Sequence, residues 1–289
     1  MEERKRKRDQ RGMEVSPATG AVMTVVFSVL SVLFLFPIVV VFYNSFKSKL
    51  YISDAPFQLP NSETFVGLTN FIEGVRKTEF LGAFFNTAFI TVCSVVVIVL
   101  FTSMTAWYLT RVKNKVSTVL YYLFVFAMIV PFQMVMFTMS KIANMLYLDN
   151  PFGIILIYLG FGAGLSVFMF CGFVKAIPLE IEEAAMIDGC TPVQTFFMIV
   201  MPMLKPTAIT VAILNAMWIW NDYLLPYLIL GTDYPTISIA IQYLQGGYGS
   251  IDMGAMRAML VLAIIPIIVF YLTCQKHIIK GVAAGAVKG

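Results

Sequence analysis

Long apolar runs alternate with short polar stretches along this chain. Six runs are long enough to cross a bilayer, near 21–43, 84–108, 117–138, 153–174, 207–230 and 254–274. Hydrocarbon offers the backbone no hydrogen-bond partner. Each run is therefore predicted to be a helix that satisfies its own amides. Pro37, Pro131 and Pro266 lie inside the first, third and sixth runs, where they are expected to kink the helices. The expected fold class is an all-α membrane protein with six transmembrane helices.

Composition agrees. The chain has 289 residues, 59% hydrophobic and 12% charged. A soluble core of this size cannot hide so much apolar surface. The formal charge of +4 is explained by its placement and is no nucleic-acid signature. Fourteen of the twenty Lys and Arg residues fall in 1–20, 109–116, 174–206 and 275–289. The positive-inside rule then puts both termini and the stretch 174–206 in the cytoplasm. The basic run Arg4 to Arg8 resembles the start of a signal peptide. The apolar run behind it is too long for one, so a retained first span is expected. That basic run also suits anionic membrane lipid.

Some chemistry is excluded. Cys93, Cys171, Cys190 and Cys274 form no disulfide framework, and His277 is the lone histidine. Neither a metal site nor a catalytic set is expected. The chain has no phosphate-binding loop, so any ATP hydrolysis must come from another subunit.

The stretch 178–206 is polar yet patterned. Pro178 can open a helix, and Glu180, Glu182 and Glu183 fall in its first turns, where negative charge suits the helix dipole. Gly189 suits a helix end. Thr191, Pro192 and Gln194 form a capping-box pattern for a second helix. Pro202 and Pro206 are expected to stop that helix before the fifth span. A helix–turn–helix of this kind between two spans is a surface built to touch something.

The fifth run holds the other polar cluster. Asn215, Trp218 and Asp222 fall within an arc of about 60° on a helical wheel, with Asn221 adjacent. Polar groups at membrane depth face protein or a water-filled cavity. An aromatic beside amide and carboxylate groups suits a sugar. The other reading is an aromatic belt at the membrane surface, with Asp222 ion-paired to a neighbouring subunit.

Glu183-Ala184-Ala185, three residues, Gly189, nine residues, then Ile199-Val200-Met201-Pro202 resembles the EAA loop of ATP-binding-cassette importer permeases. Met201 stands where the pattern has Leu, a swap that conserves volume. Weaker elements resemble the carbohydrate-uptake, maltose-transporter branch: Gly67-Leu68-Thr69-Asn70-Phe71, Asn86-Thr87, Trp220-Asn221-Asp222, the stretch 245–256 and the ending 281–289. The resemblance implies a type I importer permease fold with a cytoplasmic coupling helix in a bacterial plasma (inner) membrane. It divides the chain into a basic tail 1–20, a first span 21–43, an external loop 44–83, a type-1 transmembrane core 84–275 containing the coupling loop 178–206, and a tail 276–289. It assigns ATPase coupling to Glu182, Glu183, Ala184, Ala185, Asp188, Gly189 and Pro202. The implied partners are two ATP-binding subunits holding ATP and Mg, a second and different permease, and an external sugar-binding protein. The competing classes are an ion-driven secondary carrier and a membrane-embedded enzyme. The first wants ionisable groups deep in spans, and only Asp222 qualifies.

Overall fold

The computed structural model describes residues 16–244 and 252–286, with side chains up to 276. The basic run 4–8, the stretch 245–251, the side chain of His277 and the last three residues lie outside the described residues. No strand occurs among the described residues, only an isolated bridge between Lys47 and Phe65.

Among the described residues, four helices are long and apolar enough to span a membrane. They are α1 (Pro17–Asn44), α4 (Phe80–Arg111), α7 (Pro151–Val174) and α13 (Met253–Ala286). Between α1 and α4 lie α2 (Lys49–Asp54) and α3 (Thr69–Lys77). Local caps fix several boundaries. The Ser16 hydroxyl accepts from the Thr19 amide ahead of Pro17. Asn150 accepts from the amides of Phe152 and Gly153 and starts α7. Pro37 and Pro266 are absorbed within continuous helices.

The third run departs from expectation. Instead of a kinked span over 117–138, it forms α5 (Lys115–Ala127) and α6 (Phe132–Met145), bent by 106°. Pro131 donates no amide hydrogen and disfavours helical geometry at Val130, so the chain breaks rather than bends. At about 20 Å, α5 is shorter than the hydrocarbon core.

The second helix of the polar stretch also differs. It does end before the fifth run, at Met203 between the two prolines, but Pro202 is inside it. It runs through Pro192–Met203 (α9) with a π turn over Phe196–Val200. The wider turn accommodates a residue that cannot donate. Pro206 sits in the first turn of α10 (Lys205–Asn221), which meets α9 at 77°. The fifth run, expected as one helix over 207–230, ends at Asn221. It resumes as α11 (Leu224–Leu230), followed by α12 (Ile237–Gln242).

α4 and α7 form the most extensive helix pair, and α10 packs along both. Glycine permits the close approach. A Cβ on Gly162 would meet Ile98 Cδ1 at 2.7 Å and Asn215 Oδ1 at 2.8 Å. Ile98, Tyr158, Val167, Phe170 and Val211 fill the resulting core. By contrast, α1 is exposed along nearly its whole length, with only Val40 and Asn44 buried.

The bundle has two ends. One carries 178–206, hereafter the loop end. At the far end, Asn70 donates to the carbonyls of Ser45 and Lys47, both at 2.8 Å, and ties α3 to the end of α1. Gly254 leaves room for that amide, because a Cβ would lie 2.4 Å from Asn70 Oδ1. Lys77 pairs with Glu73 and with Asp252, clamping α3 to the start of α13. Burial pushes the Asp252 carboxyl up, but Lys77 and the Ala255 amide hold it below its usual value. A depressed carboxyl stabilises the fold above its unfolded value. This contribution is therefore present at neutral pH and lost as pH falls through the depressed value.

Candidate functional site

The loop end is built from its caps. α8 (Leu179–Ile187) starts after Pro178 with Glu180 and Glu182 in its first turn. It closes with two reverse bonds: the Gly189 amide donates to Met186 O, and the Cys190 amide to Ala185 O. That is the Schellman pattern, and it needs a residue at positive φ. Gly189 supplies it at +91°. Two residues later the Thr191 hydroxyl accepts from the Gln194 amide, while the Gln194 side chain accepts from the Thr191 amide at 2.8 Å. The turn is thus fixed by backbone chemistry within fifteen residues.

The two faces of α8 differ. Glu183, Ala184, Asp188 and Gly189 are exposed, whereas Glu182 and Ala185 are buried. An apolar ridge accompanies the exposed acids: Ile187 is 86% exposed, Met198 64% and Val193 63%. Pro202 is exposed nearby. Large apolar side chains are thus exposed beside acidic groups at this end of the isolated chain.

Glu182 points the other way. Its carboxylate accepts from Arg111 Nη2 at 2.6 Å, Arg111 Nε at 3.0 Å and Trp107 Nε1 at 2.8 Å. Arg111 Nη2 also donates to Ile177 O at 2.9 Å. Glu182 is therefore an internal anchor and not part of the exposed surface. Nothing in the order of residues points to this partnership. Arg111 counts there only as one of the positive charges in 109–116, and Trp107 does not stand out.

The fifth-run residues do not converge. Asn215 is 5% exposed and donates to Ser166 Oγ at 3.2 Å and Val211 O at 2.9 Å. It is packing glue between α10 and α7, not a cavity group. Asp222 has extended backbone past the end of α10. Its Oδ1 accepts from the amides of Leu224 and Leu225, and its Oδ2 from the Tyr158 hydroxyl at 3.1 Å. Pro226 comes next and needs no acceptor. Asp222 is thus the cap that starts α11. Trp218 meets Tyr158 edge-on at 5.4 Å and is 41% exposed. Asn221 is exposed, with its amide donating to Met217 O. Leu214, Met217, Trp218 and Asn221 form one exposed stripe of α10 at helical spacing. Tyr158 was missed in the sequence because an apolar run hides the one hydroxyl that organises the cluster.

A cavity of about 460 Å³ lies between α4, α10 and α13, lined by Phe84, Val92, Ile213, Met217, Trp220 and Phe270 among others. Its walls are almost wholly apolar and offer a sugar few hydrogen bonds.

Comparison with known proteins places this architecture. Residues 98–284 match the family of binding-protein-dependent transport system inner membrane components. The chain is 39% identical over 261 residues to the probable starch degradation products transport system permease protein AmyC of Thermoanaerobacterium thermosulfurigenes, covering 90% of this chain and 94% of that one. It is 36% identical over 269 residues to the multiple sugar-binding transport system permease protein MsmG of Streptococcus mutans, covering 91% and 95%. Its fold is similar to that in the crystal structure of a bacterial ABC transporter importing the acidic polysaccharide alginate. The TM-score is 0.75 at 23% identity, with 91% of this chain and 98% of that chain covered. The protein is a membrane-embedded transport permease of the ATP-binding-cassette importer class, not an ion-driven secondary carrier. It belongs to the family of binding-protein-dependent transport system inner membrane components.

Proposed function

We propose that this chain is one permease subunit of an ATP-driven sugar importer and supplies half of the translocation pathway. The observation that carries the reading is the loop end. A capped helix–turn–helix exposes Glu183, Ile187, Val193 and Met198, with little of the described chain over them. Each such loop seats on one of two ATP-binding subunits, which hold the ATP and Mg. Charge placement puts both termini and this loop in the cytoplasm, where ATP is available. A second, different permease faces the exposed stripe of α10 across the pathway and covers part of α1. An external binding protein delivers the sugar to the far end. Nucleotide binding at the ATPase pair favours one membrane state over the other and alternates access. Two sugar permeases at 39% and 36% identity support the substrate class, and starch-derived oligosaccharides are the first probe to use.

The test is the importer reconstituted with all its subunits. Gly189→Pro cannot adopt a φ of +91°, and Glu183→Lys reverses an exposed charge. Both are expected to abolish sugar-stimulated ATP hydrolysis while the permease still inserts. Full stimulation in both variants would overturn the coupling role of the loop. Co-purification from native membranes of an ATP-binding subunit, a second permease and a binding protein is the expected assembly.

A further inference from the structure

The loop end is tied to α4 by three independent contacts. Arg111 grips Glu182 of α8 and the Ile177 carbonyl that leads into it. Trp107 donates to the same carboxylate. The Trp107 ring also packs on Phe196 of α9, with centroids 5.5 Å apart. Both helices of the loop are therefore fastened to one turn of α4. The fork of Arg111 is satisfied at two acceptors on two elements, which fixes orientation as well as distance. Glu182 is 2% exposed at its side chain and Arg111 19%, so water does not compete for the pair.

The other end of α4 has a matching grip. Thr87 Oγ1 accepts from the Ile237 amide at 2.9 Å, at the start of α12. Asn86 donates to Pro235 O at 3.1 Å. These are tertiary bonds, 149 and 150 residues apart in sequence. From Thr87 to Arg111 the helix is unbroken, with no proline, over about 36 Å. A proline-free helix lacks the commonest kink point, whereas the third run breaks at Pro131 and the fifth beyond Asn221.

From this geometry we infer that α4 is a transmission rod: the Arg111–Glu182–Trp107 junction makes it move with the loop, and Thr87 and Asn86 hand that movement to the far-end segment 235–242. Arg111, Glu182 and Thr87 are positioning residues, which touch neither sugar nor nucleotide. The inference rests on the docking role proposed for the loop. The alternative is that the junction merely staples the loop to the bundle, and α12 answers to the other spans.

Hydrogen exchange separates the two. The complete importer, with its ATPase subunits and in lipid nanodiscs, is compared with and without Mg and a non-hydrolysable ATP analogue. No sugar is needed. Nucleotide is expected to change amide exchange in 235–242 by about fivefold or more in the wild type. Arg111→Lys keeps the charge but loses the fork, and Thr87→Val keeps the shape but loses the acceptor. Each is expected to abolish the nucleotide effect at 235–242 while exchange of α8 without nucleotide stays as in the wild type. An unchanged nucleotide effect in either variant overturns the rod, as does a wild type in which nucleotide leaves 235–242 unaffected. Raised exchange of α8 in the Arg111→Lys importer without nucleotide shows a staple only and also overturns it, with Thr87→Val as the independent check. Gly189→Pro distinguishes the underlying reading. A nucleotide effect at 235–242 that survives it removes the docking role of the loop, with the rod variants still to be judged by their own result.

Discussion

The loop 178–206 and the fifth run 207–230 are both polar interruptions in an apolar chain, yet they are organised differently. In the turn of the loop, the order comes from residues close in sequence, and only the inner face, through Glu182 and Phe196, is held from α4. Gly189 answers Met186, Cys190 answers Ala185, and Gln194 answers Thr191. In the fifth run, the order comes from afar. Asn215 answers Ser166, and Asp222 answers Tyr158, 64 residues away. A site whose polar groups are satisfied locally leaves its other face free to meet a partner. A site whose polar groups are satisfied by tertiary neighbours has already used them. The loop therefore looks outward, and most of the fifth-run set looks inward.

The largest test of this contrast is Gly162→Leu. Glycine here lets α7 lie against both Ile98 and Asn215, so a long side chain must wedge three spans apart. The expected cost is about 1–3 kcal/mol. It should appear as a melting temperature lowered by several degrees in detergent, with uptake lost. An unchanged melting temperature would show that the α4–α7–α10 seam is loose, and that Asn215 is not held as described.

Next in size is Gly189→Ala. The added Cβ meets nothing within 4 Å, so its whole effect is backbone strain at positive φ. That strain is about 1–2 kcal/mol. Stability of the bundle should scarcely change, because the strain falls in a turn set by its own neighbours, while stimulated ATP hydrolysis should fall. If global melting drops as far as in Gly162→Leu, the loop is not locally encoded and the contrast fails.

The same contrast explains what the sequence could show. The caps at Pro178, Gly189 and Thr191 were legible because each device lies within a few residues and has its own residue types. The four long spans were legible because apolar length decides them. Three features were not. The 106° break at Pro131 needs to be told from the tolerated Pro37 and Pro266, and proline alone does not say which. The inward turn of Glu182 depends on Trp107 and Arg111, 75 and 71 residues distant. The wheel that gathered Asn215, Trp218 and Asp222 assumed one helix, and the helix ends at Asn221.

The finest test separates Trp218 from Asp222. Trp218 lies on the exposed stripe of α10 and is 41% exposed, so a sugar in the pathway can reach it. Trp218→Ala is expected to weaken apparent uptake affinity by about tenfold, the range within which one contact acts. Asp222→Asn should do almost nothing. Asparagine caps a helix about as well as aspartate, and its carbonyl can still accept from Leu224, Leu225 or Tyr158. Asp222→Ala removes the acceptor and should cost about 1 kcal/mol of stability with affinity unchanged. Uptake measured against sugar concentration, beside melting of the same variants, checks all three. A loss of affinity in Asp222→Asn with normal melting would return the carboxylate to the sugar route. It would also show that the charge of Asp222, and not its capping geometry, is what transport uses.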